Sequence, residues 1–374
     1  MTDNHLHIVC HDVPYPADYG GVFDLFYKIQ SLHALGINIH LHCFEYGRGK
    51  QEELDKYCSS VTYYERKAFY KGLPFRLPYI VSSRANQSLL NNLINDDYPV
   101  LLEGIHCTYF LYTGQLKNKK VFVRLHNVEY SYYEELSKTT NNIFKKIYCK
   151  LESFLLKKYE NNIAGKAMFI AVSEKDKETY KQKFAAKNIG YLPVFLPFNK
   201  VKPEPGSGNF CLYHGNLSVP ENEKAAMWLV KNVFNSLDIP FVIAGKNPSK
   251  YLLSLAHNNG NICIVANPSA NEMDELIKMA QVHLLPSFNK TGIKIKLLNA
   301  LFNGRYIITN SAAVEETGLE TLCEIADTSS EYKKITGQLF HASFTETDII
   351  KRKKILEDNY NNHANAIQLI KWIW

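Results

Sequence analysis

The sequence predicts an α/β protein made of two Rossmann-like domains, and three observations carry that expectation. The chain opens as strand, loop, helix and strand over residues 6–10, 11–21, 22–35 and 38–44. A stretch rich in proline and glycine, residues 193–209, then breaks the pattern, and strand–helix order restarts at Phe210. Residues 284–310 repeat the unit again. They read as a short buried strand, a polar loop through Gly292 and a helix with Ile293, Leu297, Leu298, Leu301 and Phe302 at helical spacing.

Composition sets the bounds. At 374 residues, 46% apolar and 21% charged, the chain has material for two cores. A net charge of +6 suits anionic partners such as nucleotide sugars, lipid phosphates or an acidic membrane face, and gives no reason to expect nucleic acid. The eight cysteines are dispersed with no C-x-x-C pair. Reduced thiols are expected, with Cys10, Cys43, Cys211 and Cys263 inside apolar strand-like runs. No apolar run reaches the roughly eighteen residues of a membrane span. The first residues are polar and residues 8–13 are too short for a signal-peptide core, so a cytoplasmic protein is expected.

In the first half, Gly20-Gly21 precedes the first helix as a phosphate-cradling turn would, although a glycine pair alone is an ordinary turn signal. Residues 61–98 are aromatic and basic, broken by Pro74 and Pro78, with a helix expected over 79–95. Strands follow at 100–103 and 119–125, with a short helix at 107–114 between them. His126 comes directly after the second of these strands. A histidine at the carboxyl end of a parallel strand faces the crevice where open α/β sheets bind ligands, although a single histidine taken alone is more often structural. Residues 141–161 form a helix in which five lysines (145, 146, 150, 157 and 158) interleave with Ile143, Phe144, Ile147, Leu151, Phe154 and Leu155. A basic amphipathic helix suits an anionic membrane; Glu152, Glu160 and core packing favour the plainer reading of a solvated face. A strand at 168–173 leads through Ser173, as cap, into a helix over 174–187.

In the second half, a strand at 210–214 runs into a Gly215-Asn216 loop and a helix over 222–233. Strands at 240–244 and 261–266, a helix at 272–279 and the 284–310 run follow. Lys290, Lys294 and Lys296 crowd the turn before the last helix, where free backbone N–H groups favour an anion. Trp372 and Trp374 at the end need apolar cover. The predicted layout is a domain over 1–198, a linker at 199–209, a domain over 210–350, and a C-terminal helix over 351–374 that crosses back to the first domain.

Pro286-Ser287, Gly292, Leu297-Leu298-Asn299-Ala300, Asn303-Gly304 and Ile307-Ile308-Thr309 together resemble, in order, the donor-binding motif of retaining GT-B glycosyltransferases, especially family 4. Thr291 and Asn299 stand where that family carries two glutamates. Gly215 matches its glycine, while Asn216 and Asn222 replace an arginine and a lysine. His126-Asn127-Val128-Glu129 is similar to its H-N-x-E segment. The resemblance implies a GT-B fold, two Rossmann-like domains facing each other across a cleft. It implies transfer of a hexose from a nucleotide-diphosphate sugar to a glycan or lipid-linked acceptor, with retention, in cell-surface polysaccharide or glycolipid synthesis, in a mannosyltransferase-like enzyme. It implies His126, Lys294 and Glu129 at the reacting centre. Gly20, Gly21, Gly215, Asn216, Lys224, Lys246, Gly292, Ile293, Lys296 and Asn299 would hold the donor, with no metal or other cofactor. Peripheral contact with an anionic inner membrane face fits the same picture. Loss of both motif glutamates keeps a second reading open: a degenerate fold-mate that binds a glycan, nucleotide or partner without turnover.

Overall fold

The computed structural model describes residues 4–17, 20–67, 76–140, 142–290 and 292–374. The chain divides into two compact units, Met1–Pro197 with Tyr360–Trp374, and Phe198–Asn359. In the first unit the elements run β1 (His5–Cys10), α1 (Gly20–Ala34), β2 (Asn38–Glu45), β3 (Ser60–Glu65), α2 (Tyr79–Ser82), α3 (Gln87–Ile94) and β4 (Val100–Glu103). They continue with α4 (Tyr109–Tyr112), β5 (Val121–Leu125), α5 (Glu129–Thr139), α6 (Ile143–Ile163), β6 (Met168–Ala171), α7 (Glu174–Phe184) and β7 (Ile189–Tyr191). The strands form one parallel sheet in the order β3-β2-β1-β4-β5-β6-β7. The order reverses between β1 and β4, and open α/β sheets bind ligands at the carboxyl ends of strands beside such a reversal.

Central strands here are mostly apolar because both sheet faces are covered, with Glu103 and Arg124 as charged exceptions near the carboxyl ends of β4 and β5. Successive residues of β4 divide between them: Val100 and Leu102 join one core with Val9, Val123 and Phe169, and Leu101 joins the other with Leu25, Ile29 and Phe122. Each such side chain contributes about 1.5–3 kcal/mol by leaving water. Gly20 and Gly21 are the first two residues of α1, not a turn ahead of it. Ser173 caps α7 as its sequence suggests, accepting from the Asp176 amide at 3.1 Å.

The second unit contains β8 (Cys211–His214), α8 (Pro220–Asn232), β9 (Phe241–Gly245), α9 (Lys250–His257), β10 (Ile262–Ala266), α10 (Ala270–Met279) and β11 (Val282–Leu284). After these come α11 (Ile295–Asn303), β12 (Tyr306–Thr309), α12 (Ser311–Val314), β13 (Glu324–Ile325), α13 (Ser329–Phe340) and α14 (Glu346–Asn359). Its parallel sheet, β10-β9-β8-β11-β12-β13, reverses between β8 and β11.

Residues 199–209, read from sequence as a linker, are anchored in this unit. The Val201 amide donates to Glu357, and Gly206 pairs with Phe344 through backbone hydrogen bonds. The expected helix over 351–374 is instead the end of α14 followed by α15 (Asn362–Ile373), which packs on α1 of the first unit. Trp372 lies against Gly190 there, whereas Trp374 stays exposed. All eight cysteines are free; Cys10, Cys43 and Cys211 are buried, but Cys263 lies exposed because β10 is an edge strand.

Candidate active site

Four buried charges lie beneath the carboxyl ends of β4 and β5. Asp24 and Lys28 stand one turn apart on α1, and their side chains meet at 2.9 Å. Arg124, on the face of β5 that α1 covers, grips Asp24 through Nε and Nη2 at 3.0 and 2.9 Å. Its other hydrogen bonds go to the carbonyls of Leu192 and Pro193. Lys28 Nζ completes the set at 2.7 Å from Glu103 Oε1. Burial pushes the Asp24 carboxyl up, but Arg124 and Lys28 outweigh it and hold that pKa well below the usual range. Glu103 follows the same logic: burial opposes ionisation, and Lys28 with His126 restores it.

His126 sits on this base. Its Nε2 lies 3.0 Å from Glu103 Oε2 and its Nδ1 4.0 Å from Asp24 Oδ2. The ring is thereby fixed at the mouth of the sheet, with acids behind it and one edge towards solvent. Asp24, Glu103 and His126 offer ligand atoms within 4.8 Å of one another, enough to hold a cation. Lys28 and Arg124 already supply two positive charges to the two carboxylates, so a divalent ion would have to displace a buried partner.

Glu129 is placed elsewhere. It is the first residue of α5, buried, and its amide donates to Glu160 Oε1 at 3.0 Å. Glu160 also accepts from the Tyr130 amide and Tyr180 hydroxyl. Burial, and then Glu160, raises the Glu129 pKa to about 8; burial raises Glu160 to about 7. This acid pair is an interior feature of α5, α6 and α7.

In the second unit, several expected donor residues gather at the carboxyl ends of β8 and β11. Gly215 follows β8 directly, and a Cβ at neighbouring Gly245 would stand 1.9 Å from the Gly215 carbonyl oxygen, which is why that position needs glycine. Asn216 folds its side chain onto the loop, accepting from the Ser218 amide and hydroxyl at 3.1 and 2.6 Å. It therefore shapes the turn and carries no charge to a ligand.

The charge comes from α11. Lys296 Nζ reaches Asn222 Oδ1 at 3.0 Å and Tyr213 Oη at 3.1 Å, over the Tyr213 ring. Burial, and then the Lys294 charge, pulls its pKa down to about 7. Gly292 adopts φ 67° ahead of the helix, Ile293 follows, and Lys294 is the N-cap residue, with no side chain capping the free N–H groups among the described residues. Thr291 lies outside the described residues.

The side chains of the other candidates make no bond to this cluster among the described residues. Lys224 is exposed, its ammonium 5.1 Å from the Phe288 ring centroid. Lys246 is exposed and contributes its carbonyl to the Leu217 amide. Asn299 spends its side-chain oxygen on Asn303 at 2.8 Å.

Sequence reasoning missed Asp24, Lys28, Glu103 and Arg124. The i,i+4 Asp–Lys pair on an otherwise apolar helix face, and single charges at the ends of apolar strands, were the available signals.

A family model described as "Glycosyl transferases group 1" matches residues 208–339. An uncharacterized 44.6 kDa protein in the cps region of Klebsiella pneumoniae is 30% identical over 336 residues, spanning 83% of this chain and 84% of that one. Among solved structures, sucrose-phosphate synthase from Thermosynechococcus elongatus superposes with a TM-score of 0.70 at 13% identity, covering 99% and 98% of the two chains. The Anabaena protein HepE, solved with UDP and glucose, gives 0.67 at 10% identity over 98% and 99%.

Proposed function

We propose a function from one premise: the chain belongs to the group 1 glycosyl transferases and has the GT-B fold. It transfers a hexose from a nucleotide-diphosphate sugar to a glycan or lipid-linked acceptor, with retention at the anomeric carbon, in surface-polysaccharide synthesis. The observation that carries this reading is the N-terminus of α11, which no side chain among the described residues caps, flanked by Lys294 and Lys296. The barrier to glycosyl transfer is departure of a diphosphate from an oxocarbenium-like centre. Fixed cations and helix N–H groups aimed at that leaving group lower it. Lys296, held beside Asn222, restores at this loop the cation that Asn222 lacks. Tight pairing of Asp24 and Glu103 leaves His126, the partly accessible member of the group, suited to orient the sugar and to steady developing charge.

Protein cations take the metal's role in this reading. The UDP bound to HepE and the cps-region relative support a nucleotide donor and a polysaccharide product. Peripheral attachment to an anionic membrane face belongs to the same proposal. Among the described residues no helix is long and apolar enough to cross a membrane, but α6 presents an apolar, lysine-flanked outer face.

Calorimetric titration with UDP-, GDP-, ADP- and dTDP-sugars in a chelator tests the donor site. One of them is expected to bind the wild type and to weaken at least tenfold with Lys296→Met. Absence of binding at millimolar concentration by all four refutes it.

A further inference from the structure

Beside β4 and β1 the first unit holds a second group of polar side chains, which the donor chemistry does not use. His11 follows β1 and His106 lies three residues beyond β4, on either side of the point where strand order reverses. Their rings stack at 5.1 Å, and His11 meets His126 edge-on at 5.5 Å. Gly104, at φ 79°, keeps the space open: a Cβ there would stand 2.9 Å from His106 Nδ1 and 3.8 Å from His11 Nδ1. Both of those nitrogens are buried without a hydrogen-bond partner among the described residues. A native structure rarely leaves such atoms unpaired unless a ligand or water completes them.

Arg84 adds a buried charge. It is 3% exposed, and its hydrogen bonds go to the carbonyls of His11, from Nε and Nη2 at 3.2 and 2.9 Å, and of Ile80, at 2.6 Å, and to the Tyr46 side chain. Among the described residues no carboxylate pairs with it. Arg66 lies near, its guanidinium 5.0 Å from the Tyr46 ring centroid that Arg84 approaches from 5.7 Å. The surrounding acids are accounted for. Asp24 and Glu103 are matched by Arg124 and Lys28, Asp12 accepts from the Val13 amide, and the Glu129 carboxyl, raised by burial, hydrogen-bonds Asn127 and feels Arg84 only weakly. A buried guanidinium without a carboxylate is costly, and an arriving anion removes that cost.

We infer that Arg84, His11 and His106 form a binding site for a phosphoryl group carried by the acceptor, the diphosphate of a lipid-linked glycan being its chemical class. The assignment rests on the transferase reading, because donor diphosphate chemistry is already placed on the second unit. A lipid carrier is favoured by α6. Ile143, Phe144, Ile147, Leu151 and Phe154 on that helix are between 50% and 82% exposed, among exposed Lys145, Lys150, Lys157 and Lys158. The two features share a support: α2 gives its Ile80 amide to Glu152 of α6 at 2.9 Å and its Ile80 carbonyl to Arg84.

The test is calorimetric titration of the full chain with inorganic pyrophosphate, farnesyl diphosphate, farnesol and glucuronate, with the nucleotide site saturated by the best donor nucleotide and again on Lys296→Met. Pyrophosphate and farnesyl diphosphate should bind the wild type and Lys296→Met alike. Both should weaken at least tenfold with Arg84→Gln and with His106→Gln, the order expected for one charge-assisted hydrogen bond. If Arg84→Gln does not fold, His106→Gln decides the matter. Equal binding by wild type and both folded variants overturns the site, as does wild type that takes up glucuronate but no pyrophosphate. Failure of nucleotide binding with intact, Arg84-dependent pyrophosphate binding would remove the transferase reading and leave the phosphoryl site standing.

Discussion

In the proposed donor site, the setting of Lys296 would control how charge meets the diphosphate. Its pKa near 7 arises from burial and from Lys294, so in the free protein about half of its molecules are charged at neutral pH. A bound diphosphate favours the ammonium and raises that pKa. Affinity should therefore be full below pH 7 and fall up to tenfold per pH unit above it, until the bound-state pKa is passed. Lys296→Met should bind weakly with no such slope between pH 7 and 9, as read by calorimetry; an unchanged slope would assign the titration to another group. Sequence named Lys296 as a ligand residue but not its contact with Asn222, since a bond spanning 74 positions leaves no local trace. The position of His126 at the carboxyl end of a strand was legible from sequence. Its fixing by Glu103 and Asp24 was not, because those acids come from elements far apart in the chain.

At the scale of elements, α6 departs most from its plainer reading. The sequence pattern allowed ordinary core packing for its apolar residues, yet Cys149, Glu152, Leu156, Tyr159, Glu160 and Ile163 are the buried ones. Two carboxylates face inward because each caps backbone amides, Glu152 that of Ile80 and Glu160 those of Glu129 and Tyr130. Apolar side chains left outside, between lysines, match an anionic lipid surface. Co-sedimentation with vesicles of one part phosphatidylglycerol to two parts phosphatidylcholine should capture the wild type. The Phe144→Ser/Ile147→Ser pair should lose most of that binding without loss of melting temperature, since both residues are already exposed. Equal capture by neutral vesicles, or by the double variant, would contradict the membrane role. Elsewhere, long apolar-periodic helices such as α1 and α11 were legible, whereas β3 and β7 were not. β3 is half exposed with little alternation, and β7 has three residues, none fully buried.

For the whole molecule, two parallel sheets each reverse strand order near their centre, with Glu103 at the end of β4 and Gly215 directly after β8 beside those reversals. Apolar strand runs and intervening helices made this architecture readable from sequence, because a sheet covered on both faces leaves continuous hydrophobic strands. The division of the chain was less readable. Proline and glycine marked a boundary over 193–209, but buried Phe195 and Leu196 tie one end into the first unit and Val201 ties the other into the second. The return of α15 to the first unit needed contacts that only folding reveals. The central claim is catalysis of sugar transfer without a metal. The measurement that meets it most directly is proton NMR of wild-type turnover in a chelator, using the donor that titration identifies and a lipid-diphosphate-linked acceptor. The account predicts release of one nucleoside diphosphate per glycoside formed, with the donor's anomeric configuration kept in the product. A donor that binds tightly, yet yields neither nucleoside diphosphate nor glycoside, would contradict it and make the protein a binding module on a transferase fold.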